Sequence, residues 1–291
     1  MFSGVYTAII TPFKNDKVDY DAFGALIENQ YKNGISGIVP CGTTGESPTL
    51  SYEEHEQVIE FAVKAAKGKM KVLAGTGSNS TDEAIHFTQF AKKAGCDGAL
   101  VVSPYYNKPT QKGLYIHFKK IADTVDIPIV IYNIAGRTGV NVEPLTFQKL
   151  CKDCKNIIGV KESSGSLEQM SMIKCLCPDI ELLSGDDALT LPLMSVGGQG
   201  IISVVSNIVP AEVAALVKAF ENGNIKEAVK IHYRLFPLVK AMFVETNPIP
   251  VKTAAAMMGL CPLEMRLPMC EMEEDNKSKL EKAMKDFGLL K

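Results

Sequence analysis

Lys161 ends the apolar run Ile157-Ile158-Gly159-Val160, and Tyr132 ends the similar run Ile129-Val130-Ile131. An amine whose stem lies among apolar neighbours is favoured in its neutral form, and a neutral amine can attack a ketone to form an imine. A phenol within reach of the carbinolamine that precedes the imine can carry protons to and from it. Each residue also has a plainer reading. The lysine could leave its strand end to pair with a surface acid, and the tyrosine could close the top of a core. Thr43 and Thr44 lie in the glycine-flanked segment Gly42-Thr43-Thr44-Gly45-Glu46. The N–H groups and hydroxyls of such a turn can cup a carboxylate, or they can serve the turn alone. No His, Asp or Glu set with metal-ligand spacing accompanies these residues, so a metal mechanism is disfavoured.

These residues all stand where an apolar run stops. The runs predict strands at Val5–Ile10, Gly37–Cys41, Lys71–Thr76, Gly98–Ser103, Ile129–Asn133, Ile157–Lys161, Glu181–Ser184 and Gly200–Val205, each followed by a segment able to form a helix. They are almost continuously apolar, as strands buried on both faces of a parallel sheet must be. Repeated βα units without a break in composition predict an α/β fold, a (β/α)8 TIM barrel with its reactive groups at the C-terminal strand ends. A doubly wound sheet is the structural alternative, but its dinucleotide turn GxGxxG is absent. Gly197–Gly200 reads instead as a tight turn before the last strand. Helices are expected at Pro210–Glu221, Ile225–Met242, Pro250–Met258 and Lys277–Phe287. The first completes a catalytic barrel over residues 1–222, and the rest form a C-terminal helical extension over residues 223–291 packed on it. Ser51 with Glu54, and Ser80 with Glu83, both have capping-box form.

A chain of 291 residues with 46% hydrophobic content can build a large core without a metal or disulfides. A net charge of −2, with acids and bases nearly matched, gives no basic surplus for nucleic acid or an anionic membrane. The N-terminus has no signal-peptide pattern and no apolar run approaches the ~20 residues of a membrane span, so a cytoplasmic address is expected. Eight cysteines include Cys151 and Cys154 as CxxC and Cys175 and Cys177 as CxC. The second spacing departs from a zinc ribbon, and reduced, partly buried thiols are the favoured reading.

Beyond this, GTTGES (Gly42–Ser47), SPYYNKPTQKG (Ser103–Gly113), YNIAGRTG (Tyr132–Gly139), GVKESSG (Gly159–Gly165) and SGDD (Ser184–Asp187) occur in order. Together they resemble the dihydrodipicolinate synthase family of pyruvate-dependent, class I aldolase-like lyases, over nearly the whole chain. The resemblance implies that Lys161 forms an imine with pyruvate. It implies a proton relay of Tyr132, Thr43 and Tyr106, with Tyr106 supplied across a subunit interface. Thr44, Arg137, Ile202 and Gly185 are the implied substrate-binding residues. Thr44 would hold the pyruvate carboxylate, Ile202 would lie against pyruvate, and Arg137 would grip the carboxylate of L-aspartate 4-semialdehyde. The implied product is 4-hydroxy-tetrahydrodipicolinate, the first committed intermediate of diaminopimelate and L-lysine biosynthesis, made without an external cofactor. One departure is Ala135, where the family usually has proline two residues before the arginine. Alanine constrains that loop less.

The resemblance further implies a homotetramer, a dimer of dimers, and an allosteric L-lysine site at Ser47, Pro48, His55, Asn79, Glu83 and Tyr105. Tyr52 stands where lysine-sensitive relatives commonly have histidine. Plainer roles exist here too: Glu83 as a capping-box acid, and His55 as a solvent-facing helix residue. The nearest alternatives in function are sibling aldolases acting on N-acetylneuraminate or 2-keto-3-deoxy-sugar acids. A different class of alternative is a non-catalytic sensor of keto acid or lysine.

Overall fold

A computed structural model describes residues 2–291. Eight parallel strands close into a barrel: β1 (Gly4–Ala8), β2 (Gly37–Val39), β3 (Lys71–Gly75), β4 (Gly98–Val102), β5 (Ile129–Asn133), β6 (Ile157–Glu162), β7 (Glu181–Ser184) and β8 (Gly200–Ser203). Each strand pairs with its sequence neighbours, and β8 returns to β1 in the register Gly4↔Gly200 to Thr7↔Ser203. Side chains alternate between two apolar environments. Tyr6, Ala8, Val39, Leu73, Leu100, Val130, Tyr132, Leu183 and Ile202 fill the barrel interior with Phe2. Val5, Ile38, Val72, Val101, Ile131, Val160 and Ile201 point outward into the helix layer.

That layer consists of α1 (Tyr20–Lys32), α2 (Tyr52–Ala66), α3 (Thr81–Ala94), α4 (Gln111–Thr124), α5 (Pro144–Asp153), α6 (Leu167–Leu176), α7 (Thr190–Ser195) and α8 (Pro210–Glu221). After it come α9 (Ile225–Ala241), α10 (Ile249–Met257) and α11 (Glu274–Phe287). The α9 helix packs on α8, and α11 packs on α9 and α10. Between α9 and α11 the chain crosses to the C-terminal strand ends, where Asn247, Lys252 and Arg266 touch loops of the barrel. Among the described residues no helix is long and apolar enough to cross a membrane.

Five strands, β1, β2, β3, β4 and β8, end one or two residues before their apolar runs do, and at two of them a polar group takes the next backbone donors. Past Ala8, the Ile10 N–H goes to Asn207 Oδ1 at 3.1 Å. Past Ser203, the N–H groups of Val204 and Val205 go to Asp187 Oδ2 at 2.9 and 3.3 Å. The Ser51–Glu54 capping box is complete, and it starts α2. The Ser80–Glu83 box is not: Ser80 Oγ accepts the Glu83 N–H, but the Glu83 carboxylate turns away to Ser78 Oγ. The two-stranded ribbon of Phe13–Lys14 with Lys17–Val18 has runs too short for periodicity to reveal.

One irregularity decides which way Lys161 points. Along the β5–β6 ladder Ile129 faces Ile157, but Val130 faces Gly159, so Ile158 is an extra residue in β6. Ile129 and Ile157 lie in the outer layer, while Val130 and Ile158 pack on the interior. Strict alternation from Ile157 would turn Lys161 outward; the bulge reverses the phase, and Lys161 pairs with the inward-facing Tyr132. A β-carbon at Gly159 would meet Glu181 O at 3.1 Å and Val130 Cγ2 at 3.3 Å. The substitution Gly159→Val is therefore expected to destabilise the fold by about 1–3 kcal/mol through overpacking at the bulge, read from the urea midpoint.

Candidate active site

Lys161 is 5% exposed, and its neighbours across the sheet are Tyr132 on one side and Leu183 on the other. Its Nζ stands 4.1 Å from the centroid of the Tyr132 ring. No carboxylate pairs with it among the described residues, so the surface-acid reading does not hold. The adjoining residues fix these two strand ends. Glu162, fully buried, accepts hydrogen bonds from Asn133 Nδ2 at 3.0 Å, Gln169 Nε2 at 3.1 Å and the Ser164 N–H at 2.7 Å. Asn133 also donates to Asn141 Oδ1 at 2.8 Å, which ties the loop after Arg137 to the same network.

Gly185 follows β7 and gives the lysine its room. A β-carbon there would overlap the buried Ser163 hydroxyl, which has no hydrogen-bond partner among the described residues, and would stand 2.9 Å from Lys161 Cε and 3.0 Å from Cγ. Ile202 is fully buried on the interior wall.

Thr43 and Thr44 sit in a compact turn closed by Gly45 N–H to Gly42 O and Glu46 N–H to Thr43 O, both 3.1 Å. Thr44 Oγ1 accepts from Asn247 Nδ2 at 3.0 Å, which leaves the Thr44 hydroxyl proton free to be donated to an anion. Arg137 lies in a one-turn helix, Ala135–Thr138, and donates from Nη2 to the Asn247 carbonyl at 2.9 Å. That contact supplies the constraint that Ala135 does not. Asn247 thus touches both Thr44 and Arg137, and nothing in its sequence setting marks it beyond the flanking Pro248 and Pro250.

Tyr106 does not join this group within one chain. It is 88% exposed, with φ +72°, and stands at the surface.

A cavity of about 440 Å³ opens beside the turn. Its wall includes Thr43 and Arg137, but neither Lys161 nor Tyr132. It also brings together Ser47, Pro48, Tyr52, His55, Glu83 and Tyr105. Asn79 is not on the wall; its carbonyl accepts from Asn107 Nδ2 at 3.0 Å. His55 does not face solvent. It is buried, stacked on Phe87 with centroids 4.1 Å apart, and its Nε2 lies 2.8 Å from the Gly75 carbonyl. Burial pushes its pKa down to about 4, so the ring is neutral at pH 7 and donates from Nε2. Glu83 hydrogen-bonds the Tyr52 hydroxyl and holds that phenol above its usual range.

The cysteines are divided. Cys151 and Cys177 share a hydrogen bond, and burial raises both thiols, whereas Cys175 is exposed. Among the described residues no group of three or more His, Cys, Asp or Glu could hold a metal ion.

Two outcomes follow from this geometry. Gly185→Ala is expected to lower kcat/KM about 10- to 100-fold by displacing the Lys161 stem, measured by steady-state kinetics on folded protein. For His55, and for His117, which burial also pushes to about 4, the unfolded chain takes up a proton near pH 6.5 while the folded chain does not. Their contribution to stability is therefore present above that pH and is lost as pH falls through about 4. The thermal midpoint should drop over that window, and His55→Gln with His117→Gln should flatten the drop.

A sequence model of the Dihydrodipicolinate synthetase family matches residues 1–287. The 4-hydroxy-tetrahydrodipicolinate synthase of Endomicrobium trichonymphae is 76% identical over 291 residues, all of both chains. The crystal structure of DHDPS from Cyanidioschyzon merolae with lysine bound superposes with a TM-score of 0.96 at 44% identity, covering 99% of each chain. That of the chloride-inhibited dihydrodipicolinate synthase from Acinetobacter baumannii complexed with pyruvate gives 0.97 at 40% identity, covering 100% of each. With this similarity running from end to end and the lysine, tyrosine and threonine turn at one barrel mouth, the chain belongs to the dihydrodipicolinate synthetase family.

Proposed function

We propose that this chain condenses pyruvate with L-aspartate 4-semialdehyde through an imine on Lys161, giving 4-hydroxy-tetrahydrodipicolinate. The observation that carries the reading is a buried amine with no acid partner among the described residues, held over the Tyr132 ring at the mouth of the barrel.

The chemistry runs in balanced steps. The Lys161 amine adds to C2 of pyruvate, and loss of water gives an iminium, which is an electron sink. A methyl proton leaves to form the enamine. The enamine carbon attacks the aldehyde carbon, and the resulting alkoxide takes up a proton. The amino group of the second substrate then adds to the iminium carbon, expels the Lys161 amine and closes the ring. No external cofactor is required, because the protein amine supplies the electron sink.

Thr44, with its hydroxyl proton free, suits the pyruvate carboxylate, and Ile202 supplies an apolar wall. Arg137, anchored by one nitrogen on Asn247, keeps other N–H groups for the carboxylate of the second substrate. Tyr132 and Thr43 carry protons, and Tyr106 completes the relay from a second copy. The exposure of Tyr106 supports that reading, as the first element of a homotetramer built as a dimer of dimers. The barrel of residues 1–222 and the extension of residues 223–291 act as one catalytic unit. The cavity walled by Ser47, Pro48, His55, Glu83 and Tyr105 suits L-lysine, with Glu83 facing an ammonium group; Asn79 would reach it only by a change in its loop.

A coupled assay tests the reading. Turnover of pyruvate with L-aspartate 4-semialdehyde, slowed by added L-lysine, is expected. Turnover of sialic acid in place of that pair would instead make the chain a sibling aldolase.

A further inference from the structure

The C-terminal region meets the threonine turn at a buried ion pair. Lys252, on α10, is fully buried and pairs with Glu46, which is 3% exposed. Burial lowers the lysine's pKa, and Glu46 opposes that shift. Glu46 has φ +54°, a left-handed conformation that non-glycine residues rarely adopt. Its second carboxylate oxygen accepts the Arg266 N–H at 3.1 Å. Both cations lie against the buried Phe13 ring, Lys252 Nζ at 4.3 Å and Arg266 Cζ at 4.4 Å from its centroid. Arg266 also binds both oxygens of Glu54 at 2.6 Å and the Thr49 carbonyl at 3.0 Å. The segment from Glu46 to Glu54 is thus tied to the C-terminal region at both ends.

A buried pair is in itself weak evidence of stability, since an apolar pair of similar volume often serves as well in a core. What it supplies is position. A buried carboxylate must stay on its cation, and the Glu46 N–H is the donor that closes the turn on Thr43 O. Displacing Glu46 therefore displaces Thr43 and Thr44.

We propose that Lys252 is a positioning residue that sets the affinity for the keto acid, acting through Glu46 on the turn that carries Thr43 and Thr44. The inference rests on the reading above that this turn touches pyruvate. The test uses the full-length double variant Lys252→Met/Glu46→Gln, which removes both charges and leaves no buried charge unpaired. A second double, Lys252→Met/Glu46→Leu, serves if the first does not fold. With a thermal midpoint close to the parent's, the pyruvate KM should rise about tenfold, with a fall in kcat because Thr43 moves together with Thr44, while the KM for the semialdehyde changes less than about threefold. An unmoved pyruvate KM in a folded double variant overturns the proposal, as does a fall in kcat alone. Thr44→Val separates the two layers of inference. If that variant also leaves the pyruvate KM unchanged, the turn does not hold the keto acid and both readings fall. If it raises the KM while the double variant does not, only the role of Lys252 falls.

Discussion

The inward turn of Lys161 depends on one extra residue in β6. A strand buried on both faces offers its side chains two destinations, the barrel interior or the helix layer, and the pleat assigns them alternately. Ile157 lies in the helix layer, so an unbroken β6 would send the amine there, away from any opening. The bulge at Ile158 and Gly159 reverses the assignment for the rest of the strand and sets Lys161 opposite Tyr132. The small side of the bulge is glycine because Glu181 O and Val130 Cγ2 crowd the place a β-carbon would take.

Once inside, the amine meets no carboxylate among the described residues to neutralise it. A permanent ion pair would block the nitrogen, and the interior offers an aromatic face instead, 4.1 Å away. Such a contact is worth about 2 kcal/mol when desolvated and leaves the lone pair free when the proton departs. The strand ends are held without spending the lysine. Glu162, the next residue, faces the opposite side and collects donors from Asn133, Gln169 and the Ser164 backbone. Across the mouth, Asn247 joins the threonine turn to the arginine loop, so the groups that grip anions are referenced to one residue of the C-terminal region.

Much of this was legible in the sequence, for physical reasons that also mark where legibility ends. The barrel strands are long apolar runs closed by turn residues, and Lys161 and Tyr132 stand out because polar groups end such runs. The bulge left no trace, since Ile158 and Gly159 read as ordinary strand residues and only pairing with β5 exposes the slip. Glu83 and His55 show where local spacing misleads. The plainer roles it offers them are a cap and a solvent-facing position, but Ser78 competes for the carboxylate and Phe87 covers the imidazole. Asn247, Lys252 and Arg266 act on residues some two hundred positions earlier in the chain, a separation no local pattern spans.

The most direct measurement is borohydride reduction in the presence of pyruvate, followed by peptide mass analysis. A pyruvate-derived adduct confined to the peptide that holds Lys161 is the expected result. An unmodified Lys161 peptide, or an adduct on a different lysine such as Lys252, would contradict an imine-forming amine inside the barrel.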